Sequence, residues 1–426
     1  MDIIIKNISN IHFVEIFLRG FVYIKIFTFR LKFSLEDYQY KKIPWTLDTF
    51  RMALFISSMT MTTIFCVGLL ALLPDRHPFM SYHNFETILK TERMDLFLLA
   101  LFVMLVILEA MWIHLLTDAL NYRSSLVKFI INNLHFKENG LSKKSIKFLR
   151  KFYAITYYAG TILYALYILN GIGTIIIGFY WAIIFYMRNL TTLTKLLVSM
   201  PAFALICTDI AYHMGQMFST VLSFIVFIIE FFKVKLQELH QLAQKMFNKN
   251  LKKIGLSKLF WMRFQNRYVK LFGEVADFNK TFGTMLLYFE SVSKSAIIIS
   301  CMFYSRQKEI SEYFLMAFLS LMTTFVCVTS IYSRVARLPS YNRRCSKTIV
   351  KWLARIQWSN KTQRKNAIKW TTIKSNLFIQ VMDENEFGFT CGHLFFITKF
   401  KYIELLMMNF PLIILFYEKI CVNASF

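Results

Sequence analysis

The feature that most constrains this chain is a series of apolar blocks, each about as long as a bilayer is thick and each closed off by charge. A hydrocarbon core of about 30 Å is crossed by roughly 20 helical residues at about 1.5 Å each. Seven blocks fit: 51–74, 95–117, 152–175, 197–229, 281–303, 313–333 and 400–422. The expected fold is therefore all-α, a polytopic membrane protein with seven transmembrane helices. A composition of 56% hydrophobic residues, with only 13 Gly and 6 Pro in 426, excludes a disordered or linker-rich chain.

The net charge of +25 would suggest nucleic acid in a soluble protein, but its distribution explains it otherwise. Lys plus Arg number 7 before residue 51, 8 over 118–151, 11 over 231–280 and 13 over 334–399. The alternate segments 75–94, 176–196, 304–312 and the tail after 418 hold 3, 2, 2 and 1. Cytoplasmic loops retain basic residues, so this alternation predicts a cytoplasmic N-terminus and an extracellular C-terminus, with no nucleic-acid partner. That topology is opposite to the rhodopsin-like receptors, and no Asp-Arg-Tyr triplet follows the third block.

Apolar character continues past 175 to about 187, but both flanking basic segments read as cytoplasmic, so an even number of crossings lies between them. The stretch 176–187 is accordingly expected as an outer-surface helix or loop. The stretch 11–29 carries Glu15, Arg19 and Lys25 and reads as an interfacial helix within a cytoplasmic segment 1–50, not as a cleaved signal. Helical spacing of apolar residues over 231–280 predicts extensions of spans four and five into the cytosol, with a similar extension at 118–151. The segment 334–399 is expected as a cytoplasmic helical anchor, packing into a bundle or lying on anionic lipid.

The seven Cys read as small apolar residues, since most fall in or beside spans and the rest face a reducing cytosol. No zinc spacing, P-loop or Gly-x-Ser-x-Gly elbow is present, so no enzyme, cofactor or metal site is expected. Of the Asn-x-Ser/Thr sequons, Asn189 and Asn423 are external and both close to the bilayer, and Asn189 is the better glycosylation candidate.

With short external connections, any outward-facing ligand site must lie between helices. Ionisable groups deep in a span usually face a cavity or a partner. Glu109, Asp209, Glu290 and Lys294 all fall near mid-depth. Glu290 and Lys294, four apart, either pair along one helix or line a pocket, and Asp209 either bonds to Tyr212 and His213 or does the same. Trp112, Tyr157, Tyr164 and Tyr288 add stacking faces and hydroxyls that suit either a ligand pocket or ordinary packing. The mid-membrane charges also admit a secondary transporter, although no internal repeat is visible.

Two short stretches carry a family resemblance. Phe389-Thr390-Cys391-Gly392-His393-Leu394-Phe395 is similar to the Phe-Thr-Ala-Cys-Gly-x-Phe stretch before the last helix of insect gustatory receptors, without the Ala. Asn279-Lys280-Thr281-Phe282-Gly283 before Met285-Leu286-Leu287 is similar to that family's Asn-x-x-Phe/Tyr-Gly preceding a Leu-rich run. Asn409-Phe410 and Phe416-Tyr417 stand where the family has Thr-Tyr and Gln-Phe. With the topology, the chain resembles the insect chemoreceptor superfamily, its gustatory branch more than its odorant branch.

The resemblance implies a ligand-gated cation channel in the plasma membrane of a sensory neuron. It would assemble as a homo- or heterotetramer and be opened by a small-molecule tastant bound among the second to sixth helices. The last helix would line the pore, through Asn409, Phe410, Leu412, Ile413, Phe416 and Tyr417, where hydrophobic rings close by dewetting. Lys401 and Glu404 sit at its inner end, either in the ion path or as an interfacial pair.

Overall fold

The computed structural model describes residues 12–28, 30–72, 94–134, 141–188, 192–248, 254–306, 325–359, 367–408 and 414. The described chain is almost wholly helical. Helices α1 (Phe13–Ile24) and α2 (Leu35–Gln39) precede α3 (Leu47–Leu72), α4 (Met94–Leu120) and α5 (Ser125–Leu134). Then come α6 (Lys143–Met187), α7 (Leu193–Thr220), α8 (Val226–Asn248) and α9 (Ile254–Arg306). A helical stretch over 325–335 leads into α10 (Arg337–Ser359), followed by α11 (Ala367–Glu384). A two-stranded hairpin, β1 (Thr390–Cys391) with β2 (Phe395–Phe396), precedes α12 (Lys399–Met407).

Among the described residues, four helical stretches are long and apolar enough to cross a membrane: Leu47–Leu72, Leu98–Leu120, Lys143–Ile184 and Leu193–Lys245. They cover the third and fourth apolar blocks whole and most of the first and second. The fifth block lies within α9, which runs unbroken from the basic 254–280 segment into it. Most of the sixth block and the last block beyond 408, apart from residue 414, lie outside the described residues. The pore candidates Asn409, Phe410, Leu412, Ile413, Phe416 and Tyr417 and the sequon Asn189 lie there too.

The expectation of a separate outer element at 176–187 is corrected by α6, a single 45-residue helix that reaches Met187 without a break. Asn170-Gly171 does not interrupt it, because Gly171 serves close approach: a Cβ there would meet the Ala211 Cβ of α7 at 2.6 Å. At the helical rise α6 is about 67 Å long, roughly twice a hydrocarbon core, so it must tilt or project. Its most apolar window is only 22% buried, leaving Ile155, Ile162, Leu166 and Leu169 on the outer face. That face suits lipid.

The stretch Leu193–Lys245 is the opposite, 89% buried over its most apolar window, and forms the axis of the bundle. One π-helical turn, Val221–Ile225, joins α7 to α8 and keeps the chain continuous. The core is dominated by phenylalanine: Phe227, Phe231 and Phe232 on α8 meet Phe13 and Phe17 of α1, Phe129 of α5 and Phe278 of α9. Helix α1 thus buries its Phe13, Phe17 and Phe21 face in the bundle, while Val14, Leu18 and Val22 remain exposed on the other side.

In the 334–399 segment the described helices α10 and α11 pack against α9. Trp352 of α10 stacks on Trp261 of α9 at 5.4 Å, and Phe378 of α11 meets the same indole edge-on. Buried Glu230 of α8 pairs with both Lys233 and Arg334, tying α8 to the 325–335 stretch.

Candidate functional site

Three membrane-length helices, α3, α4 and α7, converge on one buried polar cluster. On α4, Glu109 and Trp112 are three residues apart, and on α7, Asp209 and His213 are four apart, so each pair shares a helix face. Those faces meet around a cavity of about 20 Å³, room for one water molecule. Thr60 of α3, Leu105 and Leu108 of α4, and Met214 and Met217 of α7 complete the lining.

The cluster is deeply buried, with Glu109 at 3% exposure and Asp209 at 0%. His213 Nε2 lies 3.2 Å from Thr60 Oγ1 and 3.0 Å from Asp209 Oδ1, the latter an ion-pair contact off the line of a hydrogen bond. Ser57 donates to Glu109 Oε1 at 3.4 Å. Glu109 Oε2 and Asp209 Oδ2 receive no hydrogen bond. Trp112 stands edge-on to the His213 ring, centroids 4.6 Å apart. Among the described residues, no Lys or Arg lines the cavity. Two carboxylates and at most one imidazolium thus occupy a low-dielectric site, an arrangement that costs free energy unless a cation or a proton compensates it.

Of the ten pocket candidates, Glu109, Trp112, Asp209 and His213 line this cavity. Tyr212 packs its ring on that of His213 but receives the Arg30 guanidinium at 5.6 Å. The others lie elsewhere. Tyr157 joins Tyr23, Tyr153 and Tyr158 beside α1. Tyr164 packs against Gly215, and Tyr288 faces His114. Glu290 and Lys294 pair along α9 at 3.5 Å. Lys401 and Glu404 likewise pair at 2.8 Å along α12. Sequence reasoning did not single out Ser57 and Thr60, although the repeated hydroxyls of span one (Ser57, Ser58, Thr60, Thr62, Thr63) were the available signal.

The two stretches that carry the family likeness dock directly on each other. Asn279 of α9 accepts from the Thr390 backbone N–H at 3.0 Å through Oδ1 and donates to Thr390 Oγ1 at 3.1 Å through Nδ2. Gly392 N–H donates to the Gly283 carbonyl at 2.8 Å, and the Phe282 and Phe389 rings meet edge-on at 5.1 Å. The hairpin that leads into the last helix is thereby latched to α9. Beneath the latch, Tyr332 OH and Cys391 Sγ are 3.8 Å apart; burial pushes the Cys391 thiol up to about 11, against the hydrogen bond from Tyr332, so it stays a neutral packing group.

Gly392 has φ +55°, and a Cβ there would sit 2.9 Å from Leu287 Cδ2. Gly392→Ala is expected to lose about 1–2 kcal/mol from the left-handed backbone alone. A lower unfolding temperature of the detergent-solubilised protein checks this.

No protein-family model matches this chain, and no curated protein is significantly similar to it.

Proposed function

We propose that this chain is a ligand-gated, non-selective cation channel of the gustatory-receptor type, opened by a small-molecule tastant at the plasma membrane of a sensory neuron. It works as a homo- or heterotetramer with related subunits, and its last helix lines the pore. The observation that carries the ligand reading is the buried Glu109–Asp209–His213 cluster around a cavity between three membrane-length helices. In this reading the cavity, about 20 Å³, belongs to the resting channel. A ligand acts by binding the open state of the channel more tightly than the closed one, and shifts the population only by that difference in affinity. The latch of Asn279 and Gly283 on the Thr390–Gly392 hairpin supports the rest of the mechanism, for it is the mechanical link from α9 to the last helix.

The test joins topology to current. A C-terminal epitope tag is expected to be read on intact cells, and a tastant panel to evoke cation current in whole-cell recording. Asp209→Asn and His213→Ala are expected to weaken the response at least tenfold at unchanged surface level. A tag read only after permeabilisation, or responses unaltered in both variants, rejects the reading.

The same buried carboxylates favour a second reading, an ion-coupled secondary transporter. Ligand uptake with a fixed ion stoichiometry and no channel-sized conductance would select it.

A further inference from the structure

The chemistry of the cavity points to a class of ligand, an inference that rests on its being the ligand site. We infer that it takes an ammonium group: ammonium itself, or the head of a small primary amine.

Charge is the first reason. Glu109 and Asp209 are both more than nine-tenths buried and line the same cavity, and their Glu109 Oε2 and Asp209 Oδ2 oxygens receive no hydrogen bond. The one basic group among the described lining residues, His213, stands against the Oδ1 side of Asp209 and the Thr60 hydroxyl. With both carboxylates ionised the cluster stays net negative even when His213 is charged, and the rest of the described lining is uncharged. A monovalent cation balances the single negative charge left when His213 is charged, whereas with a neutral or anionic occupant only proton uptake by a carboxylate can do so.

Size and donor geometry narrow the cation. Room for one water molecule fits ammonium or an ammonium head and excludes a guanidinium or a quaternary amine without expansion. An –NH₃⁺ head brings three donors. The cavity offers the two unsatisfied carboxylate oxygens and the Thr60 hydroxyl as acceptors, with the Trp112 indole as an aromatic wall suited to a cation. Hard metal cations want a shell of about six or more oxygens. Here most of the wall is Leu105, Leu108, Met214 and Met217, and no metal-binding group of His, Cys, Asp and Glu occurs among the described residues.

The test is thermal unfolding of the full chain in detergent, titrated with ammonium chloride and methylammonium chloride against sodium and potassium chloride. Ionic strength is held constant with N-methylglucamine chloride. A ligand that binds only the folded state raises the unfolding temperature with concentration. The expected result is a saturable rise of a few degrees with ammonium and methylammonium, at least tenfold weaker in apparent affinity for sodium and potassium. The rise should be lost in Glu109→Gln and reduced in Thr60→Val. The wild-type cation series decides the question even if a variant fails to fold. No rise, an equal rise with potassium, or a rise that persists in both variants overturns the inference. Ammonium-specific stabilisation without current in cells upholds it while removing the channel reading. Tastant-evoked current without that stabilisation overturns the inference alone.

Discussion

Asn279→Ala is expected to reduce ligand-evoked current by at least tenfold while leaving the protein folded and at the cell surface. The side chain makes two hydrogen bonds to Thr390, one to its backbone N–H and one to its hydroxyl. Each contributes about 0.5–1.5 kcal/mol, and stranding a half-buried N–H costs about 1–3 kcal/mol more. A change of about 2–3 kcal/mol in the coupling between α9 and the hairpin moves a two-state equilibrium by a factor of roughly 30–150. The rest of the fold does not depend on it, since the hairpin keeps the Gly392-to-Gly283 bond and the Phe282–Phe389 contact. The measurement is peak current normalised to surface-tag signal, beside thermal stability in detergent. Normal current from Asn279→Ala would mean that the latch is a static anchor.

Phe231→Ala is expected to destabilise the protein by about 3–5 kcal/mol, enough to remove most folded material from the membrane. Phe231 is 0% exposed, and its ring lies within about 6.4 Å of five others: Phe13, Phe17, Phe129, Phe227 and Phe232. Those rings come from α1, α5 and α8, so the truncation leaves a void at the point where three helices meet. The surrounding helices are held elsewhere and collapse into it only in part, so the lost dispersion contacts are not recovered. Phe231→Leu retains most of the volume and is expected to cost less than half as much. Fluorescence-detected size exclusion after a heat step reads both, and equal survival of Phe231→Ala and wild type would remove this cluster as the centre of the core.

The Asn279 latch shows what a linear reading cannot reach. Both of its halves were visible as short family-like stretches, yet 111 residues separate Asn279 from Thr390, and no local pattern says that one bonds the other. The cavity is similar. Glu109, Asp209, His213 and Trp112 stood out because ionisable and indole groups are rare in apolar helices and carry a cost there. Thr60 did not stand out, because a hydroxyl in a transmembrane helix can satisfy itself on its own backbone, as Thr60 also does with the Ile56 carbonyl. Tyr157, Tyr164 and Tyr288 were equally plausible on spacing alone, and they differ only in which neighbour each helix face meets.

Helical class and the first four membrane-length segments were determined by the sequence alone, because hydropathy and helical periodicity are local properties that act over one or two dozen residues. The pairing of Glu290 with Lys294 belongs with them, being set by the four-residue helical repeat. Only the tertiary structure decided that α6 continues unbroken past Gly171, because the glycine's role depends on Ala211 lying against it. It alone also decided that Leu193–Lys245 is the buried axis while the equally apolar Lys143–Ile184 faces outward. Two helices of the same hydropathy are interchangeable in a sequence. Only the partners that each one meets across the bundle separate the helix that carries the site from the one that faces outward.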